Sequence, residues 1–249
     1  MACRGQGVVD HHGRHNRHMH DASFFKEENQ PLESRGTIMS NILLKGFRMF
    51  RKDNYEGKGA IMKRLVKEGQ SPDYFIISCI DSRSNPGTIF RPEPGTFFAH
   101  KAMGAIVRPY KKGTALAAAL QFALIHNTVK EIIVLGHTGC GAIKAMVEKI
   151  DDEEISSFIN VAQEGLENAR ARSGCSCTHD ELLRNSEEEI VLLSAENLKS
   201  YPSVATALAE NRVVIRPWLF DMESGELLQY NQDFKEFVPL TQHKKSDHA

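Results

Sequence analysis

Two apolar runs that each lead into possible metal ligands constrain this chain most strongly. The first run, residues 74–78, enters Cys79, and the second, residues 132–136, enters His137 and then Cys140. Short, continuous apolar runs of this kind are typical of strands buried on both faces of a parallel sheet. Because ligands collect at the carboxyl ends of such strands, we expect Cys79, His137 and Cys140 to meet at one edge of the sheet.

These three residues form a ligand set that suits zinc. Two thiolates and one imidazole leave one of four tetrahedral positions unfilled, which is the usual form of a catalytic rather than a structural zinc site. Zinc in such a site lowers the pKa of a bound water to about 7, so that hydroxide is available at neutral pH. The sequence therefore predicts one Zn²⁺ per chain, with a zinc-bound hydroxide as the nucleophile.

The rest of the pattern predicts an α/β fold: a mostly parallel central β-sheet with an antiparallel edge strand, flanked by helices, with an N-terminal helical arm. A helix that starts at Gly113 leads from an expected strand at 96–99 into the run at 132–136, which forms a βαβ unit with parallel strands. Further strands are expected at 96–99, 212–216 and 226–230, the last being the antiparallel edge strand. Further helices are expected at 59–68, after Gly141, at 153–172 and at 187–210. In the arm, four apolar residues recur at helical spacing: Ile42, Leu43, Phe47 and Phe50.

The domain organisation follows from a change of composition near residue 39. Residues 1–38 hold five histidines and almost no apolar periodicity, which predicts a disordered leader, with a weak metal-binding tail as the alternative. Residues 39–240 are expected to form a single α/β domain, and residues 241–249 a flexible tail.

Charge and cysteine usage restrict the surroundings and partners of the protein. The formal net charge of −1 predicts no general attraction to nucleic acid or to an anionic membrane. The apolar segments are too short or too interrupted to span a bilayer. Five cysteines, an odd number in 249 residues, argue against a disulfide framework. We therefore expect the cytoplasm or another reducing compartment.

The two motifs resemble those of the beta-class carbonic anhydrases. That family carries Cys-x-Asp-x-Arg after one strand and His-x-x-Cys after a later one, which stand here at 79–83 and 137–140. The resemblance covers about residues 40–235 and is nearest to the plant-type branch. It implies reversible hydration of CO₂ to bicarbonate and a proton, and assembly as a homodimer or a larger homo-oligomer.

The resemblance also implies roles for residues around the zinc ligands. Asp81 and Arg83 would be catalytic, because their pairing decides whether Asp81 orients the hydroxide or fills the fourth zinc position. An ordinary Asp–Arg ion pair is the alternative. In the family the pocket is lined across a dimer interface, and the residues that would bind substrate here are Gln70, Phe97, Phe122 and Gly139. For the two phenylalanines, a plain core role is the alternative.

Some positions depart from the family pattern and keep other functions open. Residues 100–105 replace the usual Arg-Asn-Ala-Gly-Asn and are read as one residue longer. The allosteric bicarbonate-binding branch has Trp and Arg where this chain has Ile76 and His100, so no such site is expected. The alternatives are a related zinc hydrolase for another small linear molecule, such as carbon disulfide, and a non-catalytic regulatory homologue. The residues Cys175, Cys177 and His179 suit a polar loop or a second metal or redox site.

Overall fold

A computed structural model describes residues 32–57, 60–174 and 176–240, which divide into two units between Glu68 and Gly69. In the first unit, helix α1 spans Leu32–Tyr55 and helix α2 spans Ile61–Glu68. The predicted helical arm is therefore present, and α1 begins inside the segment predicted as a leader. The first 31 residues of that leader and the predicted tail 241–249 lie outside the described residues.

The second unit contains one six-stranded sheet with helices around it. The strand order is β2-β1-β3-β4-β5-β6; the first four strands are parallel, and β5 and β6 join antiparallel. The strands are β1 (Tyr74–Ser78), β2 (Phe97–Lys101), β3 (Glu131–His137), β4 (Val214–Phe220), β5 (Leu227–Asn231) and β6 (Glu236–Pro239). The helices are α3 (Pro86–Ile89), α4 (Ala115–Gln121), α5 (Gly141–Val147), α6 (Glu153–Ile159), α7 (Gln163–Ser173), α8 (His179–Leu198) and α9 (Pro202–Ala209).

The predicted fold class is confirmed, with differences at the ends of elements. Strand β6 pairs with β5, so β6 rather than the predicted strand at 226–230 forms the antiparallel edge. Helix α8 begins eight residues earlier than expected, because Thr178 and Glu181 form a capping box that satisfies its first amides. The predicted helical segment 187–210 is interrupted before Pro202, which begins α9.

Alternating side chains of the central strands enter different clusters of the core. Phe75 and Ile77 join a large cluster with residues of α4, α8 and α9, whereas Ile76 packs with Ile133 and Leu135. In parallel register Ile76 faces Ile133, as expected when successive residues point to opposite faces of the sheet. Both faces of β1 and β3 are therefore buried, which explains their continuous apolar sequence.

Close contact between α8 and β3 depends on Gly136. A Cβ atom at this position would overlap the side chain of Val191 on α8. Glu187, one turn before Val191, also belongs to the buried face of this helix. The approach that Gly136 permits thus brings Glu187 beneath the carboxyl end of β3, where His137 lies. Among the described residues, no helix combines the length and hydrophobicity that crossing a membrane requires.

Candidate metal centre

The ends of two adjacent strands bring the three predicted metal ligands together. Cys79 directly follows β1, His137 is the last residue of β3, and Cys140 precedes the first residue of α5. Their ligand atoms all lie within 4.8 Å of one another, and all three residues are buried. Among the described residues this is the one group of three or more such side chains placed to hold a metal ion.

The donor atoms fit a zinc ion. The Sγ atoms of Cys79 and Cys140 lie 4.0 Å apart, close to the about 3.8 Å that two Zn–S bonds of tetrahedral geometry require. Nε2 of His137 is buried without a hydrogen-bond partner. Such an orphaned nitrogen is costly unless it binds a ligand, and it faces the two sulfurs. We conclude that zinc is bound by Cys79, His137 and Cys140.

The tautomer of His137 suits this role. Nδ1 lies 3.0 Å from the carbonyl oxygen of Thr138. When Nδ1–H donates to this oxygen, Nε2 carries a free lone pair that points to the metal position. Thr138 is itself held by Asp221, to which its hydroxyl donates at 3.3 Å.

The two thiols share a contact that moves their pKa values in opposite directions. The hydrogen bond with Cys140 lowers the pKa of Cys79, against the opposing effect of burial. The same contact, together with burial, raises the pKa of Cys140. Burial acts to lower the pKa of His137, but its contacts with Cys79 and the Thr138 carbonyl outweigh burial and raise it. Zinc must therefore displace protons when it binds.

Asp81 and Arg83 form a bidentate pair beside the ligands. Arg83 donates from Nε to Oδ1 of Asp81 at 3.1 Å and from Nη2 to Oδ2 at 2.8 Å. Its backbone N–H also donates to Oδ1, since Asp81 caps the short 3₁₀ turn Ser82–Ser84. The side-chain hydrogen bond from Arg83 lowers the pKa of Asp81 to about 2. Asp81 is therefore a carboxylate at any ordinary pH.

Cys79 receives two hydrogen bonds from a segment that the sequence marked as unusual. The backbone N–H of Gly104 donates to Cys79 Sγ at 3.2 Å, and Lys101 Nζ donates to the Cys79 carbonyl at 2.7 Å. Gly104 has φ +61, a conformation that favours glycine. Lys101 is the last residue of β2, not part of a loop after it. Neither role was predicted from the sequence, although a glycine in this stretch was a usable signal.

A third residue that was not predicted is Glu187, whose carboxylate lies behind Cys140. Its Oε1 accepts a hydrogen bond from the Cys140 backbone N–H at 2.9 Å, and the residue is 4% exposed. Burial raises the pKa of Glu187 to about 7, although the amides of Cys140 and Gly139 act in the opposite direction. In the sequence, Glu187 belongs to a run of three glutamates that resembles a solvated helix face. Its spacing of four from the buried Val191 was the available signal.

The predicted substrate-binding residues lie in different places. Gly139 is in the loop between two zinc ligands, and its carbonyl accepts a hydrogen bond from Arg83 Nη2 at 3.3 Å. Gln70 precedes β1, so it lies at the amino end of the sheet, away from the metal. Phe122 follows α4 and packs edge-on against Phe98, with ring centroids 5.8 Å apart. Phe97 packs against the cluster on the other side of the sheet, so the structure does not bring Phe97 and Phe122 together.

Comparison with known proteins agrees with this site. The profile of the family described as "Carbonic anhydrase" matches residues 74–227, more than half of the chain. A carbonic anhydrase of Pseudomonas aeruginosa is 28% identical over 207 residues, which cover 81% of this chain and 92% of that protein.

Two solved structures share the fold. The beta-carbonic anhydrase CcaA superposes with a TM-score of 0.72 at 24% identity, over 81% of this chain and 99% of that one. A structure from the study of two tetrameric beta-carbonic anhydrases of the fungus Sordaria macrospora has a TM-score of 0.64 at 22% identity, over 79% of this chain and 96% of that one. With the family profile and the Cys₂His ligand set, these similarities show that the chain belongs to the beta-class carbonic anhydrase family, the zinc enzymes that hydrate CO₂ reversibly.

Proposed function

We propose that this carbonic anhydrase keeps the fourth ligand position of its zinc open to solvent and substrate by holding Asp81 on Arg83. The observation that carries the proposal is the bidentate pair itself. Oδ2 of Asp81 lies 4.0 Å from Nε2 of His137, so the carboxylate is near the metal position, yet both of its oxygens accept hydrogen bonds from Arg83. The zinc, when bound, acidifies water so that a nucleophile exists at neutral pH.

In this arrangement each residue of the chain has a separate task. Arg83 orients Asp81. Asp81 would accept a hydrogen bond from the attacking hydroxide, and this bond would direct a lone pair of the hydroxide oxygen toward CO₂. Gly104 N–H stabilises negative charge on the sulfur of Cys79, and Lys101 holds the backbone carbonyl of the same residue. A carboxylate added to the two thiolates would make the ligand set trianionic, and the full charge of Arg83 offers Asp81 a favourable alternative.

The pocket is proposed to be completed by a second copy of the chain. Gln70 precedes the five-residue strand β1 and Cys79 follows it, so about 17 Å of extended strand separates them at about 3.3 Å per residue. Gln70 of one chain therefore does not reach its own zinc. Phe122 also packs near the amino end of the sheet and is 49% exposed. A substrate-binding role for Gln70 or Phe122 requires the partner subunit's zinc site.

Exposed apolar residues support this assembly. In the first unit, the apolar residues of α1 that recur at helical spacing are all exposed: Ile42, Leu43, Phe47 and Phe50. We propose that they pack on a partner subunit, as a homodimer or a larger homo-oligomer requires. The Sordaria macrospora relatives are described as tetramers.

Two residues favour a site of the plant type: Gln70, and Ile76 in the place of Trp. Two thiolate ligands favour the cytoplasm or another reducing compartment.

Stopped-flow measurement of CO₂ hydration by the zinc-loaded protein tests the proposed function. We expect hydration that is lost, together with zinc, in Cys140→Ser. The matched control is Cys177→Ser, which alters a half-buried free thiol outside the ligand set and should leave both unchanged. Release of sulfide from carbon disulfide without CO₂ hydration would favour the alternative hydrolase, and full zinc with neither reaction would favour a non-catalytic homologue.

A further inference from the structure

One peptide unit connects the buried carboxylate of Glu187 to the Asp81–Arg83 pair. The carbonyl oxygen of Gly139 accepts a hydrogen bond from Arg83 Nη2 at 3.3 Å. The N–H of Cys140, in the same peptide unit, donates to Glu187 Oε1 at 2.9 Å. Because the C=O and N–H of a trans peptide point in opposite directions, the two side chains hold this peptide from opposite sides.

Local sterics do not fix the orientation of this peptide. Gly139 has φ +65, and a Cβ atom built on it would meet no atom within 4 Å. Glycine reaches several backbone conformations at similar energy, so the 139–140 peptide can rotate unless hydrogen bonds prevent it. A rotated peptide would turn its carbonyl away from Arg83 and its N–H away from Glu187.

Glu187 is rigidly placed for this task. Its helix, α8, touches β3 where Val191 packs over Gly136, and Ile190 packs closely against Gly165 of α7. The side chain is almost fully buried, and a buried carboxyl group is stable only when its oxygens have partners. The Cys140 N–H is such a partner. A fixed helix thus supplies a fixed acceptor to a glycine-containing loop.

We propose that Glu187 is a positioning residue that holds the Gly139–Cys140 peptide in the orientation that presents its carbonyl to Arg83. Glu187 then acts on the reaction through Arg83, which keeps its guanidinium aligned with Asp81. It also sets the backbone of Cys140, one of the two thiolate ligands. The inference rests on the function proposed above for the Asp81–Arg83 pair.

The test compares two substitutions of similar size in the zinc-loaded protein. Glu187→Gln keeps an acceptor oxygen, whereas Glu187→Met fills the space without one. We expect Glu187→Met to lower kcat by about 10- to 100-fold with zinc retained, and Glu187→Gln to restore most of the rate. The control is Glu189→Met, because Glu189 lies on the same helix and pairs with Arg172, away from the ligands.

Two further measurements separate positioning from a general structural role. Hydrogen exchange of the Cys140 amide should become about tenfold faster in Glu187→Met, since its hydrogen bond is lost, and should stay slow in Glu187→Gln. In a double-mutant cycle, Glu187→Met should cost little further rate once Arg83→Ala has removed the other contact of the peptide. Should Glu187→Met fail to fold, Glu187→Asp withdraws the acceptor by one methylene and takes its place.

Specific results would overturn the inference. The first is a kcat of Glu187→Gln as low as that of Glu187→Met. The second is slow exchange of the Cys140 amide in Glu187→Met. The third is a double mutant in which the rate losses of Glu187→Met and Arg83→Ala multiply, while Arg83→Ala alone is impaired. An unchanged rate in Arg83→Ala alone would instead overturn the proposed function of the pair, and this inference with it.

Discussion

Oδ2 of Asp81 lies 4.0 Å from Nε2 of His137. The same oxygen accepts a hydrogen bond from Arg83 at 2.8 Å, so a carboxylate that could approach the metal is held by a neighbouring cation. The side chain of Arg83 is 62% exposed, and its alignment therefore depends on its contacts rather than on burial. Whether the fourth ligand position of the zinc stays open is thus expected to depend on Arg83.

Arg83→Ala should release Asp81 toward the metal and lower CO₂ hydration by at least about 10- to 100-fold, with zinc content unchanged. Arg83→Lys is the informative comparison, because lysine keeps the charge but cannot form the bidentate contact, and it should recover only part of the rate. Stopped-flow kinetics and elemental analysis of the same samples give both quantities. A rate near that of the wild-type protein in Arg83→Ala would mean that the pair is only structural.

Zinc binding should release at least one proton per chain at pH 7. The pKa of Cys140 is raised by its hydrogen bond with Cys79 and by burial, so this thiol is protonated before the metal arrives. Each proton displaced changes the zinc affinity by about tenfold per pH unit, with weaker binding at lower pH. Zinc-dependent stability is therefore present at high pH and lost as the pH falls. Calorimetry in buffers of different ionisation enthalpy measures the proton release. The absence of proton release at pH 7 would contradict the raised pKa of Cys140.

Gly136→Ala should destabilise the zinc-loaded protein by about 1–3 kcal/mol, because the added methyl group would overlap Val191 and force α8 away from β3. Gly141→Ala is the matched control, since a Cβ there meets no atom within 4 Å. It should change the free energy of unfolding by no more than about 1 kcal/mol. Urea unfolding at fixed zinc concentration measures both. Equal effects of the two substitutions would show that the helix does not depend on this glycine.

Mixed subunits should restore activity if Gln70 serves the partner's zinc. Gln70→Ala chains keep their zinc ligands, and Cys140→Ser chains keep Gln70. When the two inactive or impaired proteins are unfolded and refolded together, each mixed dimer contains one complete site. The expected result is a rate above the sum of the separately refolded proteins. No gain, with mixed dimers verified by mass spectrometry, would place Gln70 outside the partner's site.

The sequence was sufficient to predict the ligand set and the parallel part of the sheet. Cys79 and His137 directly follow apolar runs that are buried on both faces. Adjacent parallel strands bring their carboxyl ends together, whatever the conformation of the connecting loops. Helix α4 connects β2 to β3, and β1 pairs in parallel with both strands, as a βαβ crossover leads one to expect. These predictions depend on backbone geometry that many sequences share.

The surroundings of the ligands could not be predicted in the same way. Glu187 lies 47 positions along the chain from Cys140, whose amide donates a hydrogen bond to it. Gly104 lies 25 positions from Cys79, to whose sulfur its amide donates. Such contacts depend on how closely α8 approaches β3 and on one residue with positive φ, and neither has a local periodicity. Strand β6 was missed because its apolar run is only Phe237–Val238, too short to distinguish from a loop.

The spacing of Cys79 and Cys140 along the chain has a consequence for folding. They are 61 positions apart, and the βαβ unit lies between them. A metal ion that stays bound to both during unfolding restrains the unfolded polypeptide as a covalent cross-link would, and closure of a loop of this length corresponds to about 4 kcal/mol of chain entropy. During folding, the two thiolates become neighbours when β1 and β3 pair. Metal uptake should therefore be a late event in folding that stabilises the strand pairing already formed. Without zinc, the central strands β1 and β3 should separate more readily.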